Sequence, residues 1–223
     1  PENTLGGFQY IHGLGIRAAE FDVRQLKDGE LVIMHDDNFL RTTGIDKSLY
    51  ECASTELAPF NQAHIWMDWD RQATPALRDA LRIMHDFEHL EVEVKAVETA
   101  QQAERLVIEL QKQLQGFERA AVITSFDLKI HQALIRQNSA FKRGLLIEDD
   151  SGEQAIAQAL AFGCCQIGWM DRLATPEIIR ATQQADLAVS VWTVNNIERA
   201  LQLRGLGIDG LITDFPKLML QHL

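Results

Sequence analysis

Two carboxylates near the start of the chain have a spacing that suits a metal site. Glu20 and Asp22 flank Phe21 within an otherwise largely apolar stretch. Because residues two apart in a β-strand point to the same face, both carboxylates would share one side of a strand. Burying two like charges costs free energy unless a cation lies between them. The pair therefore favours a divalent metal, with a solvated pair at a strand edge as the alternative.

A histidine follows the carboxylate pair closely in the sequence. His35 comes directly after the apolar run Leu31 to Met34 and precedes Asp36. A lone histidine is more often structural than catalytic, but this one ends a strand-like run close to Glu20 and Asp22. An ion with oxygen ligands beside a histidine is typical of metal-assisted phosphoester hydrolysis. We therefore interpret His35 as a catalytic residue.

The segment from Glu91 to Lys95 alternates strictly between charged and apolar residues. Glu91, Glu93 and Lys95 would share one face of a strand, and two valines would share the other. On an exposed strand this pattern would be a salt-bridged surface. Inside a barrel, two acids and a base pointing inward are tolerated only with an ion or a bound anion. In this second interpretation Glu93 is a third metal ligand and Lys95 binds phosphate.

Two further residues lie near the ends of predicted strands. Trp192 is by default a core residue, and its position also permits stacking on a small ligand. Asp214 follows the last predicted strand, and we interpret it as a helix cap rather than a catalytic group.

Composition excludes several classes of partner. The 223 residues are 46% hydrophobic and carry a net charge of −11, which argues against nucleic acid and against anionic lipid surfaces. No apolar run approaches the ~18 residues that span a bilayer, so we expect no stable membrane association. The three cysteines include no Cys-x-x-Cys pair, which favours a reducing, cytoplasmic location. A removed N-terminal signal stays open, because the first residue is Pro1 and not Met.

The elements that must hold these residues alternate between short β-branched runs and helical stretches, which is typical of βα units around a parallel sheet. A turn at 27–30 predicts a hairpin between the first two strands. The predicted strands are 16–23, 31–34, 90–94, 121–125, 143–147, 165–168, 188–194 and 210–213. The predicted helices are 3–14, 74 to about 84 or 87, 99–115, 128–137, 152–162, 175–184 and 197–203.

Without the hairpin partner at 31–34, seven strands are followed by crossovers, one fewer than a (β/α)₈ TIM barrel contains. An open barrel would leave unpaired strand edges, so we expect the missing first strand to lie immediately before Pro1. Residues 1–223 would then form a single domain. A long segment at about 44–73 lacks a clear period, and such segments often line a site.

Together these motifs resemble the glycerophosphodiester phosphodiesterase family, in order and along nearly the whole chain. The matching segments are 1–4, 20–23, 27–32 with 35–36 and 40–43, 93–95, 125–126, 144–146, 192–195 and 207–214. Two departures matter. The family carries a His-Arg pair shortly before the segment that resembles residues 1–4, and this sequence begins after that point. Glu91 stands where the family often has Asn, and an added carboxylate there is expected to be a partner of Lys95.

The resemblance implies a (β/α)₈ barrel that hydrolyses glycerophosphodiesters, which are small molecules, to sn-glycerol 3-phosphate and an alcohol. Glu20, Asp22 and Glu93 would hold one divalent metal, Mg²⁺ or Ca²⁺. His35 would be one of two acid/base residues, and Lys95 would stabilise phosphoryl charge. Trp192 would contact the substrate.

Two alternatives remain at this point. One is a sphingomyelinase D-like or phosphatidylinositol phospholipase-like lyase, whose barrel and motifs are similar. The other is a catalytically impaired barrel that binds a metal or phosphate ligand, which applies if the upstream His-Arg pair is truly absent. The sequence does not determine the oligomeric state.

Overall fold

The structure is a computed structural model that describes residues 1–223. The strands are β1 (Ala18–Gln25), β2 (Leu31–Ile33), β3 (His89–Val94), β4 (Ala121–Ser125), β5 (Lys142–Ile147), β6 (Gln166–Met170), β7 (Ala188–Trp192) and β8 (Gly210–Leu211). The helices are α1 (Leu5–Gly13), α2 (Leu40–Thr43), α3 (Leu77–Ile83), α4 (Ala100–Gln113), α5 (Leu128–Arg136), α6 (Glu153–Ala161), α7 (Pro176–Gln184), α8 (Ile197–Gly205) and α9 (Pro216–Leu220). Three short 3₁₀ turns lie at Leu49–Glu51, Ser54–Glu56 and Asp171–Leu173.

All eight strands belong to one sheet, in the order β2-β1-β3-β4-β5-β6-β7-β8. β2 pairs antiparallel with β1, as the turn at 27–30 predicts, and every other neighbouring pair is parallel. Between consecutive parallel strands the chain returns through a helical connection, which is the pattern that the alternating sequence indicates.

The sheet curls into a barrel. Ser190 on β7 donates a hydrogen bond of 3.2 Å to Glu91 on β3, so the two strands face each other across the interior. β2 and β8 are the two edges of the sheet and do not pair with each other, so the barrel is open between them. This TIM-like barrel confirms the predicted fold class. An additional strand before Pro1 and the single-domain organisation stay predictions.

Alternation along the strands separates a polar interior from an apolar exterior. On β3, Leu90, Val92 and Val94 are fully buried beneath the surrounding helices, and the charged residues between them point into the barrel. Two apolar clusters form the outer layer, one around β1, β3 and β4 and the other around β5, β6 and β7. Burial of each large apolar side chain contributes roughly 1.5–3 kcal/mol, so this layer fixes the strands that carry the polar residues.

The first residue of one helix differs from the prediction. Thr4 caps α1, with its hydroxyl accepting a hydrogen bond from the Gly7 amide. Thr74 and Pro75 do not start α3, which begins at Leu77. The reason is that residues 75–76 are extended beside β2, where the Pro75 carbonyl accepts a hydrogen bond from the Ile33 amide.

The segment at 44–73 packs its own small core against the outer side of β2. Leu49, Cys52 and Phe60 are buried there, and the Phe60 ring stacks on Phe39 at 3.8 Å between ring centroids. Tyr50 of the same segment lines a cavity at the carboxyl ends of the parallel strands. No helix combines the length and apolar composition that crossing a bilayer requires.

Candidate active site

A cavity with a volume of about 1430 Å³ lies at the carboxyl ends of the parallel strands. This is the end at which TIM-barrel enzymes place their active sites. Side chains from β1, β3 and the residues just after them form a charged wall. The opposite wall is more apolar. Of the residues that the sequence singles out, Glu20, Asp22, His35, Glu93, Lys95 and Trp192 all line this cavity.

The parallel register of β1 and β3 brings the three predicted metal ligands together. Asp22 is the direct neighbour of Glu93, and Glu20 lies one pleat before Asp22 on the same face. One carboxylate oxygen from each of the three residues lies within 4.8 Å of the other two. Asp22 and Glu93 are buried, and Glu20 is partly exposed.

Lys95 also enters this cluster; the sequence predicts that it shares a face with Glu93 but not that it pairs with Asp22. Its Nζ lies 2.6 Å from Asp22 Oδ1 and in contact with Glu93 Oε1. Burial opposes the charge of the ammonium, but the adjacent carboxylates outweigh it and hold the pKa of Lys95 above its ordinary value. The expected phosphate-binding lysine is therefore ion-paired with two of the predicted metal ligands.

The electrostatics of the carboxylates fit a bound cation. Burial and the neighbouring charges of Asp22 and Glu93 hold the pKa of Glu20 well above its ordinary value. Burial and the charge of Asp22 likewise raise the pKa of Glu93, against the opposing effect of Lys95. Glu93 Oε1 is buried, and its partner is the Lys95 ammonium. Carboxylate oxygens crowded in this way are the ligands that a hard divalent cation prefers.

His35 is oriented by a neighbouring carboxylate. Its Nδ1 lies 2.7 Å from Asp36 Oδ1, and its side chain is 56% exposed toward the cavity. Burial opposes ionisation of Asp36, but hydrogen bonds from Arg41 and His35 outweigh it and hold its pKa below the ordinary value. Because an ionised carboxylate only accepts hydrogen bonds, Nδ1 must carry a proton and Nε2 is left for a substrate.

Arg24 is a further charged residue at the mouth of the cavity. Its guanidinium donates to the His35 carbonyl at 2.9 and 2.7 Å and to the Tyr50 hydroxyl. Arg24 therefore ties the end of β1 to the loop that carries His35. The sequence contained a signal for this residue, because it continues the same-face spacing of Glu20 and Asp22 by one pleat.

The more apolar wall contains Trp192, which is half-buried and not sealed in the core. Its indole Nε1 donates to the Gly168 carbonyl at 3.1 Å, and its ring meets Phe126 edge-on at 5.5 Å between centroids. Leu146 and Ile212 extend this wall. The side chain is therefore fixed in orientation while one part of its ring faces the cavity.

Two expectations about neighbouring acids are wrong. Glu91 is not a partner of Lys95, because it lies four residues earlier, roughly 13 Å along the strand, and instead accepts a hydrogen bond from Ser190. Asp214 does not cap α9, since Phe215 is the residue before that helix and no side chain caps it. Asp214 instead accepts a hydrogen bond of 2.7 Å from Asn195 and lines the cavity.

A TIM-like barrel with a cluster of charged side chains at the carboxyl ends of its strands has the arrangement of a TIM-barrel enzyme. The sequence profile of the glycerophosphoryl diester phosphodiesterase family matches residues 1–218. The chain therefore belongs to this family of phosphoric diester hydrolases, which confirms the resemblance and the predicted enzyme class.

Individual relatives agree with this assignment. The glycerophosphodiester phosphodiesterase of Caldanaerobacter subterraneus is 25% identical over 99% of this chain and 91% of its own length. Among solved structures, a phosphodiesterase of Oleispira antarctica in complex with sn-glycerol-3-phosphate is similar at a TM-score of 0.87, with 20% identity over 100% of this chain and 91% of that one. A glycerophosphodiester phosphodiesterase of Parabacteroides distasonis aligns at a TM-score of 0.82, with 18% identity over 98% and 88% of the two chains. None of these favours a sphingomyelinase D-like or phosphatidylinositol phospholipase-like lyase.

Proposed function

We propose that this protein hydrolyses small glycerophosphodiesters to sn-glycerol 3-phosphate and an alcohol, with the help of a bound divalent cation. The observation that carries the proposal is the cluster of Glu20, Asp22 and Glu93, whose carboxylate oxygens lie within 4.8 Å of one another in the cavity. The product in the Oleispira relative is sn-glycerol-3-phosphate, and family membership supports the same product here.

Glu20, Asp22 and Glu93 hold the cation in this proposal. Their oxygen donors suit Mg²⁺ or Ca²⁺ better than Zn²⁺, which prefers nitrogen and sulfur. When bound, such an ion stabilises negative charge that develops on the phosphoryl oxygens. The Lys95 ammonium competes for the same carboxylates. A bound cation would therefore free Lys95 to pair with a phosphoryl oxygen.

His35 acts as the general acid that protonates the departing alcohol. With Nδ1 held by Asp36, Nε2 is the ring nitrogen left for the departing alcohol oxygen. The bond between phosphorus and the alcohol oxygen breaks, and that oxygen takes the proton from Nε2. This step is needed whether water or the substrate's own glycerol hydroxyl attacks phosphorus. Such proton transfer typically contributes 10²–10⁴-fold to the rate, as an order of magnitude.

The wall formed by Trp192 and Phe126 supports a role in substrate binding. An indole edge fixed by a hydrogen bond offers a rigid apolar surface to the carbon atoms of the glycerol or the alcohol. The acidic surface and the three free cysteines support a cytoplasmic location as part of the same proposal.

The decisive experiment measures glycerol 3-phosphate release from glycerophosphocholine by the purified protein. We expect chelation of divalent cations to abolish the activity and Mg²⁺ or Ca²⁺ to restore it. The variant His35→Ala should lower kcat by about 10²–10⁴-fold, with thermal stability and metal affinity unchanged. The matched control is His85→Ala, because His85 is exposed and does not line the cavity.

Other outcomes would contradict parts of the proposal. Unchanged turnover in His35→Ala would remove His35 from the mechanism. Faster cleavage of sphingomyelin than of glycerophosphocholine would instead favour the lyase alternative. Tight metal binding without any turnover would indicate a barrel that only binds its ligands.

A further inference from the structure

The first segment of the chain (residues 1–4) contacts both halves of the site. The metal half is the carboxylate cluster, and the histidine half is His35 with Asp36. Asn3 contacts the metal half, where its Nδ2 donates to Asp22 Oδ2 at 2.7 Å and its Oδ1 accepts from the Asp22 amide at 3.2 Å. The oxygen and the nitrogen of the Asn3 side-chain amide therefore both bond to Asp22. Asp22 Oδ1 remains for the cation or for Lys95.

The backbone of this segment is fixed rather than free. Asn3 has a φ of 52°, in the left-handed region that asparagine tolerates better than most residues. Thr4 next to it caps α1, and its hydroxyl also donates to the Pro1 carbonyl at 2.9 Å. α1 therefore holds the segment in place.

Glu2 contacts the histidine half through two intermediate residues. The Arg41 guanidinium donates from Nη1 to Glu2 Oε2 at 2.9 Å and from Nε to Asp36 Oδ2 at 2.6 Å. The other oxygen of Asp36 accepts from His35 Nδ1. Glu2, Arg41, Asp36 and His35 thus form one continuous chain of charge-assisted hydrogen bonds, which are stronger and more directional than neutral ones.

We propose that Glu2 and Asn3 are positioning residues that keep the two halves of the site in place independently. Asn3 fixes the rotamer of the Asp22 carboxylate, and Glu2 fixes the tautomer of His35 through Arg41 and Asp36. This inference rests on the proposed function, since it assigns roles toward the same metal and the same acid. Hydrogen-bond partners of metal ligands, such as Asn3 on Asp22, typically change metal affinity or activity by about 10–100-fold when they are removed.

The metal half is tested with Asn3→Gly, because glycine adopts a positive φ without strain and lacks the amide. We expect calorimetric titration with Mg²⁺ or Ca²⁺ to show binding about 10–100-fold weaker than in the wild type. The tautomer of His35 should not change. The matched control is Asn38→Gly, which removes a partly exposed amide bonded to Asp46 and to the Leu40 amide, away from the cavity.

The histidine half is tested with Glu2→Gln, read by nitrogen chemical shifts of the His35 ring at alkaline pH. In the wild type, Nδ1 should carry the proton; in the variant, part of the population should move to the form protonated at Nε2. We expect kcat to fall in proportion to the share of the population that changes tautomer, with metal affinity unchanged. The control is Glu30→Gln, which disrupts a comparable ion pair with Arg78 outside the cavity.

For the inference to hold, Asn3→Gly must change metal affinity alone, and Glu2→Gln must change the His35 tautomer alone. Equal effects of Asn3→Gly and Glu2→Gln on both readouts, or no effect on either, would reduce the segment to ordinary structural support. Neither the metal titration nor the ring nitrogen shifts require turnover. Absence of glycerol 3-phosphate release by the wild type would therefore end the proposed function, while these two measurements would still decide the positioning roles.

Discussion

Lys95 occupies the place in the site that a metal would share. Its ammonium contacts Asp22 and Glu93, so it balances part of the charge of the three carboxylates while no other cation is bound. Removing a charge from such a buried arrangement leaves the remaining like charges uncompensated. Metal affinity and phosphate binding should therefore respond in opposite directions when this one residue is changed.

The variant Lys95→Met tests this competition. Loss of the ammonium should tighten Mg²⁺ or Ca²⁺ binding by roughly tenfold or more, because charges in contact interact by several kcal/mol even at an effective dielectric constant of 20. Turnover should nevertheless fall, since the phosphoryl group loses a cationic partner. Titration calorimetry and a steady-state assay measure the two effects.

The control for this prediction is Lys142→Met, because Lys142 is an exposed lysine at the amino end of β5. Weaker metal binding in Lys95→Met would show that Lys95 supports the ligands instead of competing with the ion.

At the level of elements, the connection from β4 to α5 is hydrogen-bonded to the end of β3, which carries part of the charged wall. The Ser125 hydroxyl donates to the Val94 carbonyl at 2.7 Å, directly before Lys95. The buried His131 of α5 in turn lies 3.1 Å from the Ser125 carbonyl through Nε2. Because a carbonyl only accepts, His131 Nε2 carries a proton, and the helix is joined to the strand end that positions Lys95.

His131 predicts a pH dependence of stability. Burial lowers its pKa below the ordinary value, so the unfolded chain binds a proton at a higher pH than the folded chain. The free energy of unfolding should therefore fall as pH drops below about 6.5, by at most about 1.4 kcal/mol per pH unit from this group. Denaturant unfolding between about pH 5 and 7.5 measures the slope.

The comparison variants are His131→Gln, which should reduce this slope, and His85→Gln, an exposed histidine that should leave it unchanged. Identical slopes in His131→Gln and the wild type would show that the buried histidine does not contribute.

For the whole molecule, the barrel interior has two functional ends. The carboxyl end carries the candidate site, and closer to the amino end lies a hydrogen-bonded network in which Gln166 donates to Ser190 and Ser190 donates to Glu91, the strand neighbour of Glu20. This network joins β6 and β7 to β3 across a barrel whose two edge strands, β2 and β8, do not pair with each other. In TIM barrels the amino end generally serves stability and the carboxyl end serves chemistry.

Ser190→Ala should affect stability and metal binding differently. The buried Glu91 carboxylate would lose a donor, which should lower the free energy of unfolding by about 1–3 kcal/mol. Metal affinity should change little, because the substitution keeps the charge of Glu91 and Glu91 does not belong to the carboxylate cluster. Chemical denaturation and metal titration test both statements.

The matched control is Ser54→Ala, which removes an exposed hydroxyl bonded to Asp28. Loss of metal affinity in Ser190→Ala would mean that the two ends of the barrel are not independent.

The sequence by itself determined the features that arise from local periodicity. Alternation with a period of two identifies the inward-facing residues Asp22, Glu93 and Lys95, because neighbouring side chains of a strand must point to opposite faces. The order of helices and strands follows from the same local patterns, and it was enough to predict the barrel.

The tertiary structure alone decided which side chains meet. The contact of Lys95 with Asp22 depends on the register between β1 and β3, which are separated by more than 60 residues of chain. Asn3 reaches Asp22 across 19 residues, and Glu2 reaches Arg41 across 39. Local propensity carries no information about such pairs, since their distances are set by how the strands and α1 pack together.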